Sequence, residues 1–397
     1  MMSVWSSLVG QEAAVAKLSE AAASARAIVA SRGGAHASDD ARSMSHAWLI
    51  TGPPGSGRSV AARAFAAALQ CTGETVGCGA CAGCRTTMGR TNADVVFAAT
   101  ETSIINVETA RSLVLQAQSS PSQGLWRVIV VEDADRLGEA GANALLKAIE
   151  EPPEHTVWLL CAPSPEDMIA TIRSRCRHLG LRIPTASAVA DLLVREGVAT
   201  PDVALEAARA AQSHIGLARA LARDPQMRER RRAIITAPAS VRSVGEAVMA
   251  ADRLLETAKA QADAQVSERN AREKAELMRQ LGMDEGESAT KASRTMIRQL
   301  EEDQKRRSKR ALTDAIDRAL IDLLAIYRDV LMVQVGGDGE LINTDLADLV
   351  HEIAQDSTPR QTLARVDHIE TARKRLVSNG NPLLVLEDMA ISLRPQA

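Results

Sequence analysis

An α/β architecture, with a parallel sheet in the first part of the chain and helices alone in the second, follows from three patterns in the sequence. Apolar strand-length runs alternate with segments of helical period. The runs are Ala47-Trp48-Leu49-Ile50, Asp94-Val95-Val96-Phe97, Arg127-Val128-Ile129-Val130-Val131 and Thr156-Val157-Trp158-Leu159-Leu160-Cys161-Ala162, and that alternation is the mark of a parallel sheet with crossover helices. The first run empties into a glycine-rich turn that opens a helix. Beyond Ile183-Pro184 only alanine- and leucine-rich helical patterns remain. Aromatic residues are 2% of the chain, so its packing rests on small aliphatic side chains that favour helix.

The glycine-rich turn reads Gly52-Pro53-Pro54-Gly55-Ser56-Gly57-Arg58-Ser59, which fits the phosphate-loop pattern G-x-x-x-x-G-[KR]-[ST] between a strand and a helix. Gly52, Gly55 and Gly57 leave backbone N–H groups free to curl around phosphates without a Cβ in the way. Ser59 offers a hydroxyl for Mg²⁺, and the helix N-terminus adds partial positive charge. Arg58 stands where a lysine is expected. It keeps the charge but substitutes a wide planar fork for a compact ammonium, so nucleotide binding is compatible with the loop and efficient hydrolysis is not.

The strand ending at Val131 runs into Glu132-Asp133. A working phosphate-loop ATPase carries the reverse order, with the first acid on Mg²⁺ and the second activating water. Here each carboxylate is displaced by about one carbon–carbon bond, enough to matter for positioned chemistry; a pair of merely solvated acids is the alternative. The strand ending at Ala162 continues into Pro163, and neither side chain can hydrogen-bond a γ-phosphate.

Cys71, Cys78, Cys81 and Cys84 form C-x6-C-x2-C-x2-C, four of the chain's six cysteines. In a reducing compartment such spacing reads as a metal site before it reads as disulfides. Four thiolates suit a closed structural Zn²⁺ site, with Gly77, Gly79 and Gly83 allowing a tight wrap. An iron–sulfur cluster is the competing reading, although the fourth cysteine lies upstream and no Cys-Pro follows. Cys161 and Cys176 stand apart.

Lysine and arginine number 47 against 50 acids, a formal charge of −3, so overall charge gives no support to bulk polyanion binding. No run approaches a membrane-spanning length, and Met1-Met2-Ser3-Val4-Trp5 lacks a basic region leading into an apolar one. The expectation is a cytoplasmic protein without membrane contact.

Leu8-Val9-Gly10-Gln11 precedes an alanine-rich helix to about Ala30, and a Gly/Ser/Asp-rich connection covers Ser31 to Ser45. A helix is expected near Val107 to Ser119, and another over Ala142 to Glu151, stopped by Pro152-Pro153. A further helix leads into Ile172-Arg173-Ser174-Arg175-Cys176-Arg177. The predicted organisation is a sheet domain over 1–183 with the cysteine module at 71–84, a small helical domain over 184–230, and an all-helical domain over 231–397. Residues 256–310 form a charged helical insertion, broken at Gly282-Met283-Asp284-Glu285-Gly286. The basic cluster Lys305 to Arg310 follows Glu301, Glu302 and Asp303 and reads as a solvated helix face rather than a nucleic-acid contact.

Together, the phosphate loop, the four-cysteine insertion, the stretch Asn143 to Pro153 and the tripeptide Ser174-Arg175-Cys176 resemble the clamp loader subunits of bacterial DNA polymerase III, of the AAA+ class. The likeness covers residues 1 to about 225. It implies an AAA+ sheet domain, a helical lid and a C-terminal collar. It also implies that Arg175 acts in trans as an arginine finger on ATP held by a neighbouring subunit, where a guanidinium accelerates phosphoryl transfer by a factor of ~10³ to 10⁵. Val9-Gly10-Gln11 resembles the segment that packs on adenine. Gly216-Leu217-Ala218-Arg219 resembles a second sensor whose arginine reaches nucleotide, though Arg219 equally fits a solvated helix position.

The partners implied are the gamma/tau ATPase and delta subunits, the sliding clamp, and primer-template DNA through the complex. Arg58, the inverted acids and Ala162 favour a subunit with weak ATPase at most and no independent catalysis within the polymerase holoenzyme. Two other readings stand beside it. One is an ATP-hydrolysing subunit of the gamma/tau type, which turnover by the isolated chain would reveal. The other is a zinc-containing nucleic-acid-binding protein with a vestigial loop, which tight salt-sensitive DNA binding would reveal.

Overall fold

The computed structural model describes residues 3–31, 43–98, 105–281 and 291–394. Most of the Ser31–Ser45 connection and the Gly282–Gly286 break lie outside them. The chain forms two compact units, Met1–Ala222 and Arg223–Ala397.

In the first unit a 3₁₀ turn, Val4–Ser7, precedes α1 (Glu12–Ala30) and the first strand, β1 (Ala47–Thr51). Next come α2 (Arg58–Leu69), α3 (Ala82–Met88), β2 (Val95–Ala98), α4 (Val107–Ala117), β3 (Arg127–Val131), α5 (Glu139–Glu150), β4 (Thr156–Ala162), α6 (Ala170–Arg173) and β5 (Arg177–Gly180). Three short helices close the unit: α7 (Ala186–Arg195), α8 (Pro201–Ala210) and α9 (Ile215–Arg223).

The sheet is parallel throughout, in the order β2-β3-β4-β1-β5. Its strands are near-continuous apolar runs because both faces are covered, and alternate residues divide between two cores. Trp48, Ile50, Val128, Val130, Val157 and Leu159 face a layer with α1 and α2, including Leu18 and Phe65. Ala47, Leu49, Ile129, Val131, Trp158 and Leu160 face the layer of α4 and α5, including Leu113, Leu145 and Ile149. The expected strands and crossover helices are all present. The fifth strand was not foreseen: Arg177-His178-Leu179-Gly180 buries one residue, Leu179, which gives too little period to read.

The second unit is helical: α10 (Pro225–Ser240), α11 (Val244–Leu281), α12 (Lys291–Gln334), α13 (Ala347–Gln355), α14 (Pro359–Val377) and α15 (Pro382–Ser392). Its core gathers Ile316, Leu320, Leu323, Ile326, Val350, Ile369 and Leu386. Along α11 the seam Ala247, Ala251, Leu255, Ala258, Ala262, Val266 recurs every three or four residues, the spacing that keeps one face of a helix on its partner.

In the charged insertion the apolar seam is thin, and polar bonds take over. Arg307 Nη1 donates to Asn270 Oδ1 at 2.7 Å and pairs with Glu273 at 2.9 Å, and Gln304 donates to the Asn270 carbonyl at 2.9 Å. Within the basic cluster Arg306 pairs with Asp303, Arg310 with Asp314 at 3.6 Å, and Lys309 donates to Asn379 at 3.0 Å.

Candidate nucleotide and metal sites

Thr51 of β1 pairs with Ala162 of β4, and Val131 of β3 pairs with Leu160 of the same strand. The phosphate loop after β1 and the acids after β3 therefore stand at one edge of the sheet, separated by β4, at the carboxyl ends where open parallel sheets bind ligands. Gly57 is the N-cap of α2 with φ +90° and no capping side chain, so the first N–H groups of α2 lack a side-chain acceptor and present the positive end of the helix dipole to the loop. A Cβ on Gly52 would lie 2.5 Å from Ser56 Oγ and 2.9 Å from the Leu181 carbonyl, which restricts that position to glycine. Ser56 is 2% exposed and its Oγ has no protein partner, an orphaned buried hydroxyl inside the loop. Arg58 Nη1 donates to the Gly52 carbonyl, so its guanidinium folds back over the loop.

Three segments hold this loop. Gln11, buried, donates to the Ser56 carbonyl at 3.3 Å and to the Arg182 carbonyl at 2.5 Å, and accepts from Arg182 N at 3.2 Å. Val9 lies beside it, lining a cleft with Gly10, Ala188, Asp191 and Arg195. His214, just before α9, approaches Gly55 closely enough that a Cβ there would be 3.0 Å from His214 Cα. Arg219 on α9 is engaged elsewhere, in a two-bond pair with Glu196 at 2.9 and 2.8 Å. The sequence places Gln11 in the segment Val9-Gly10-Gln11 but gives it no part in holding the loop; its polar character inside an otherwise apolar entry to α1 is the available signal.

The first of the two acids is also committed. Glu132 pairs with Arg90 at 2.5 Å, and Arg90 lies 4.9 Å over the Phe97 ring. Arg63 adds a second guanidinium to this neighbourhood: burial lowers its basicity, Arg90 lowers it further, and Glu132 opposes both. Asp135, two residues beyond Asp133, titrates above the usual carboxylate range because it is buried, with Asp133 reinforcing the shift and Arg136 and Arg58 countering it. Burial raises the Cys161 thiol to about 12, Glu132 adding to the effect. Glu132, the carboxylate that would face a magnesium ion, is thus already paired with Arg90.

The four module cysteines do come together, their sulfurs all within 4.8 Å of one another. Cys71 Sγ and Cys81 Sγ are 3.9 Å apart, close to the ~3.8 Å edge of a tetrahedron with Zn–S arms of about 2.3 Å. Cys81 N and Ala80 N both donate to Cys78 Sγ at 3.4 Å, and Cys84 N donates to Cys81 Sγ at 3.4 Å, capping α3. Burial alone would raise the Cys81 thiol, but the Cys84 and Thr72 backbone donors outweigh it and bring the group to about 6, a thiolate suited to metal. A Cβ on Gly73 would sit 2.7 Å from Cys78 Sγ, so that glycine is required by the cluster. Arg26 donates to the carbonyls of Cys71 at 2.8 Å and Glu74 at 3.0 Å, and Val4 N donates to that of Gly77 at 3.0 Å. The cluster can hold a metal ion.

Arg175 is exposed just beyond α6. It pairs with Glu150, and Nη1 donates to the Thr171 carbonyl at 2.8 Å and to Ser174 Oγ at 3.2 Å. Burial raises the thiol of the neighbouring Cys176 to about 12.

A phosphate loop at the carboxyl edge of a five-stranded parallel sheet, with the acid-bearing strand one place removed from the loop strand, defines a phosphate-loop protein of the AAA+ class. Residues 36–185 match the family described as DNA polymerase III, delta subunit. The gamma/tau subunit of DNA polymerase III from Mycobacterium tuberculosis is 36% identical over 170 residues, covering 41% of this chain and 29% of that protein. The delta′ subunit of Escherichia coli is 34% identical over 180 residues, 44% of this chain and 54% of that protein. The chain thus spans a third or less of the gamma/tau relative and about half of the delta′ relative. A DNA polymerase III gamma-subunit-related protein of Thermotoga maritima aligns with 87% of this chain and 93% of its own, at 16% identity and TM-score 0.42. Among the described residues, no helix is long and apolar enough to cross a membrane.

Proposed function

We propose that this chain is a delta-prime-type subunit of a clamp loader of DNA polymerase III. It assembles with gamma/tau ATPase and delta subunits, presents Arg175 to ATP bound by its neighbour, and helps open the sliding clamp for loading onto primer-template DNA. Its own nucleotide site contributes no turnover, and the four cysteines hold a structural zinc ion. The observation that carries the reading is Arg175 itself: a guanidinium exposed at the end of a short helix, in the tripeptide Ser174-Arg175-Cys176, held by a surface carboxylate and by its own helix end.

Sequence identity does not separate this reading from a gamma/tau-type ATPase, since the two kinds of relative match at 36% and 34%. The site chemistry does favour delta-prime. Arg58 is bonded to the loop carbonyl, Glu132 is paired with Arg90, and Ala162-Pro163 offers no side-chain donor. Zinc is favoured over an iron–sulfur cluster by the closed four-sulfur arrangement.

ATP turnover by the reconstituted loader, with this chain or its Arg175→Ala variant and with the chain alone as baseline, tests the reading. A drop of about 10³-fold at the adjoining site over a silent baseline is expected. Unchanged turnover removes the finger, and activity of the isolated chain moves the protein to the gamma/tau type.

A further inference from the structure

Arg90 occupies a backbone position built for glycine. Helix α3 ends at its C-cap Gly89, and the next residue, Arg90, has φ +58°. Thr91 N donates to the Thr86 carbonyl at 2.8 Å and Arg90 N to the Thr87 carbonyl at 3.0 Å, the paired bonds of a Schellman ending whose left-handed residue is usually glycine. A long side chain there carries a backbone cost, and a strained residue retained at a site edge points to the work of its side chain.

That side chain does two things. It lies 4.9 Å over the Phe97 ring, which fixes its direction, and it pairs with Glu132 at 2.5 Å. Glu132 is the carboxylate that faces the metal in a phosphate-loop ATPase. Beside it, the rest of the phosphate cradle is intact: Gly52 and Gly57 in their required conformations, an uncapped α2 N-terminus, and the orphaned buried Ser56 hydroxyl.

We infer that Arg90 serves as a built-in counter-ion at Glu132, so that the loop binds a nucleoside triphosphate without a divalent cation. Glu132 left bare would repel the phosphates, and in ordinary sites the metal screens that repulsion. Arg90 screens it from the protein side, and Arg58 supplies a further positive group at the loop. The site holds nucleotide as a structural ligand and lacks the ion that in-line transfer requires. The inference rests on the reading of this chain's own site as one without turnover.

The test is isothermal titration of ATP into the full chain, in buffer with Mg²⁺ and in Mg²⁺-free buffer without chelator, which leaves any ion on the four cysteines in place. The wild-type affinity is expected to differ by less than about twofold between the buffers. Arg90→Gly suits the left-handed position, so the fold is expected to persist with an unchanged or higher Tm. Its affinity in Mg²⁺-free buffer falls by about tenfold or more, the scale of a lost charge-assisted contact, and Mg²⁺ restores it. Arg90→Asn, also compatible with positive φ, is expected to behave the same way.

Wild-type binding that needs Mg²⁺, variants that bind as the wild type does in both buffers, or no ATP binding in either buffer would each overturn the inference. A chain that binds no ATP while its Arg175→Ala variant still silences the assembled loader would overturn this inference alone and leave the finger standing.

Discussion

Glu150, the last residue of α5, accepts a hydrogen bond from Nε of Arg175, so the exposed arginine of the surface tripeptide is held by the helix that ends in Glu150-Glu151-Pro152-Pro153. Both side chains are substantially exposed, 38% and 42%, and such a pair contributes well under ~1 kcal/mol to folding. Glu150→Gln is therefore expected to leave Tm within about 2 °C by calorimetry. Under the proposed function, the same change is expected to raise ATP turnover of the reconstituted loader by about two- to fivefold, because a guanidinium released from a pair worth up to ~1 kcal/mol becomes available to a neighbour. Reduced turnover would instead mean that Glu150 aims the guanidinium.

The cysteine module is predicted to fail through geometry as readily as through loss of a ligand. Gly73→Ala places a methyl 2.7 Å from Cys78 Sγ while leaving all four thiols present. Metal content measured by elemental analysis should fall below one ion per chain, as it should for Cys78→Ala. Full occupancy in Gly73→Ala would show that the loop can shift to admit the methyl.

Asp94 is the hidden organiser of the β2–β3 edge. It is fully buried and accepts from Ser122 N at 2.7 Å, Ser122 Oγ at 3.0 Å, Gln123 N at 2.7 Å and Gly124 N at 2.6 Å. Burial alone would raise its titration, but these donors outweigh it and hold the carboxyl below the usual range. The stabilisation is present above the unfolded carboxyl pKa of about 3.9 and is lost as pH falls through the lower folded value. Asp94→Ala strands three backbone donors and is expected to cost about 3 kcal/mol or more in urea unfolding, with a flatter stability profile in acid. A loss below 1 kcal/mol would show that water replaces the carboxylate.

In the second unit, Asp329 and Asn343 form a buried polar knot. Asp329 accepts from Ile342 N at 3.0 Å, Asn343 N at 2.8 Å and Asn343 Nδ2 at 3.0 Å. Asn343 Oδ1 in turn accepts from Arg231 at 2.6 Å, which also pairs with Asp322 at 2.9 Å. Asn343→Ala removes the relay between Arg231 and Asp329, leaving the Arg231–Asp322 pair, and should cost about 2–4 kcal/mol. A near-neutral effect in denaturant titration would mean the loop is held by its backbone bonds alone.

The strands and crossover helices were legible because both faces of the sheet are buried, which leaves long apolar runs such as Thr156–Ala162, and because the phosphate loop and the cysteine spacing are contiguous motifs. What sequence could not supply was pairing across distance. Arg90 and Glu132 are 42 positions apart, Gln11 and Arg182 171 apart, and neither contact leaves a local pattern. The commitment of Arg219 to Glu196 is likewise invisible until α7 and α9 are laid side by side. Strand β5 escaped notice because an edge strand with one buried side chain carries almost no period.

The placement of the few aromatic residues has an optical consequence. The four tryptophans, Trp5, Trp48, Trp126 and Trp158, all belong to the unit ending at Ala222, while the single tyrosine, Tyr327, belongs to the other. Indole emission therefore follows the first unit alone. Trp48 makes that signal local as well, lying edge-on to Phe65 at 5.3 Å with the Arg177 guanidinium 4.9 Å over its ring, so its quantum yield registers any shift of the segment that carries Arg175. The chain comes with separate chromophores for its two units, and their melting, joint or independent, can be followed without attaching a label.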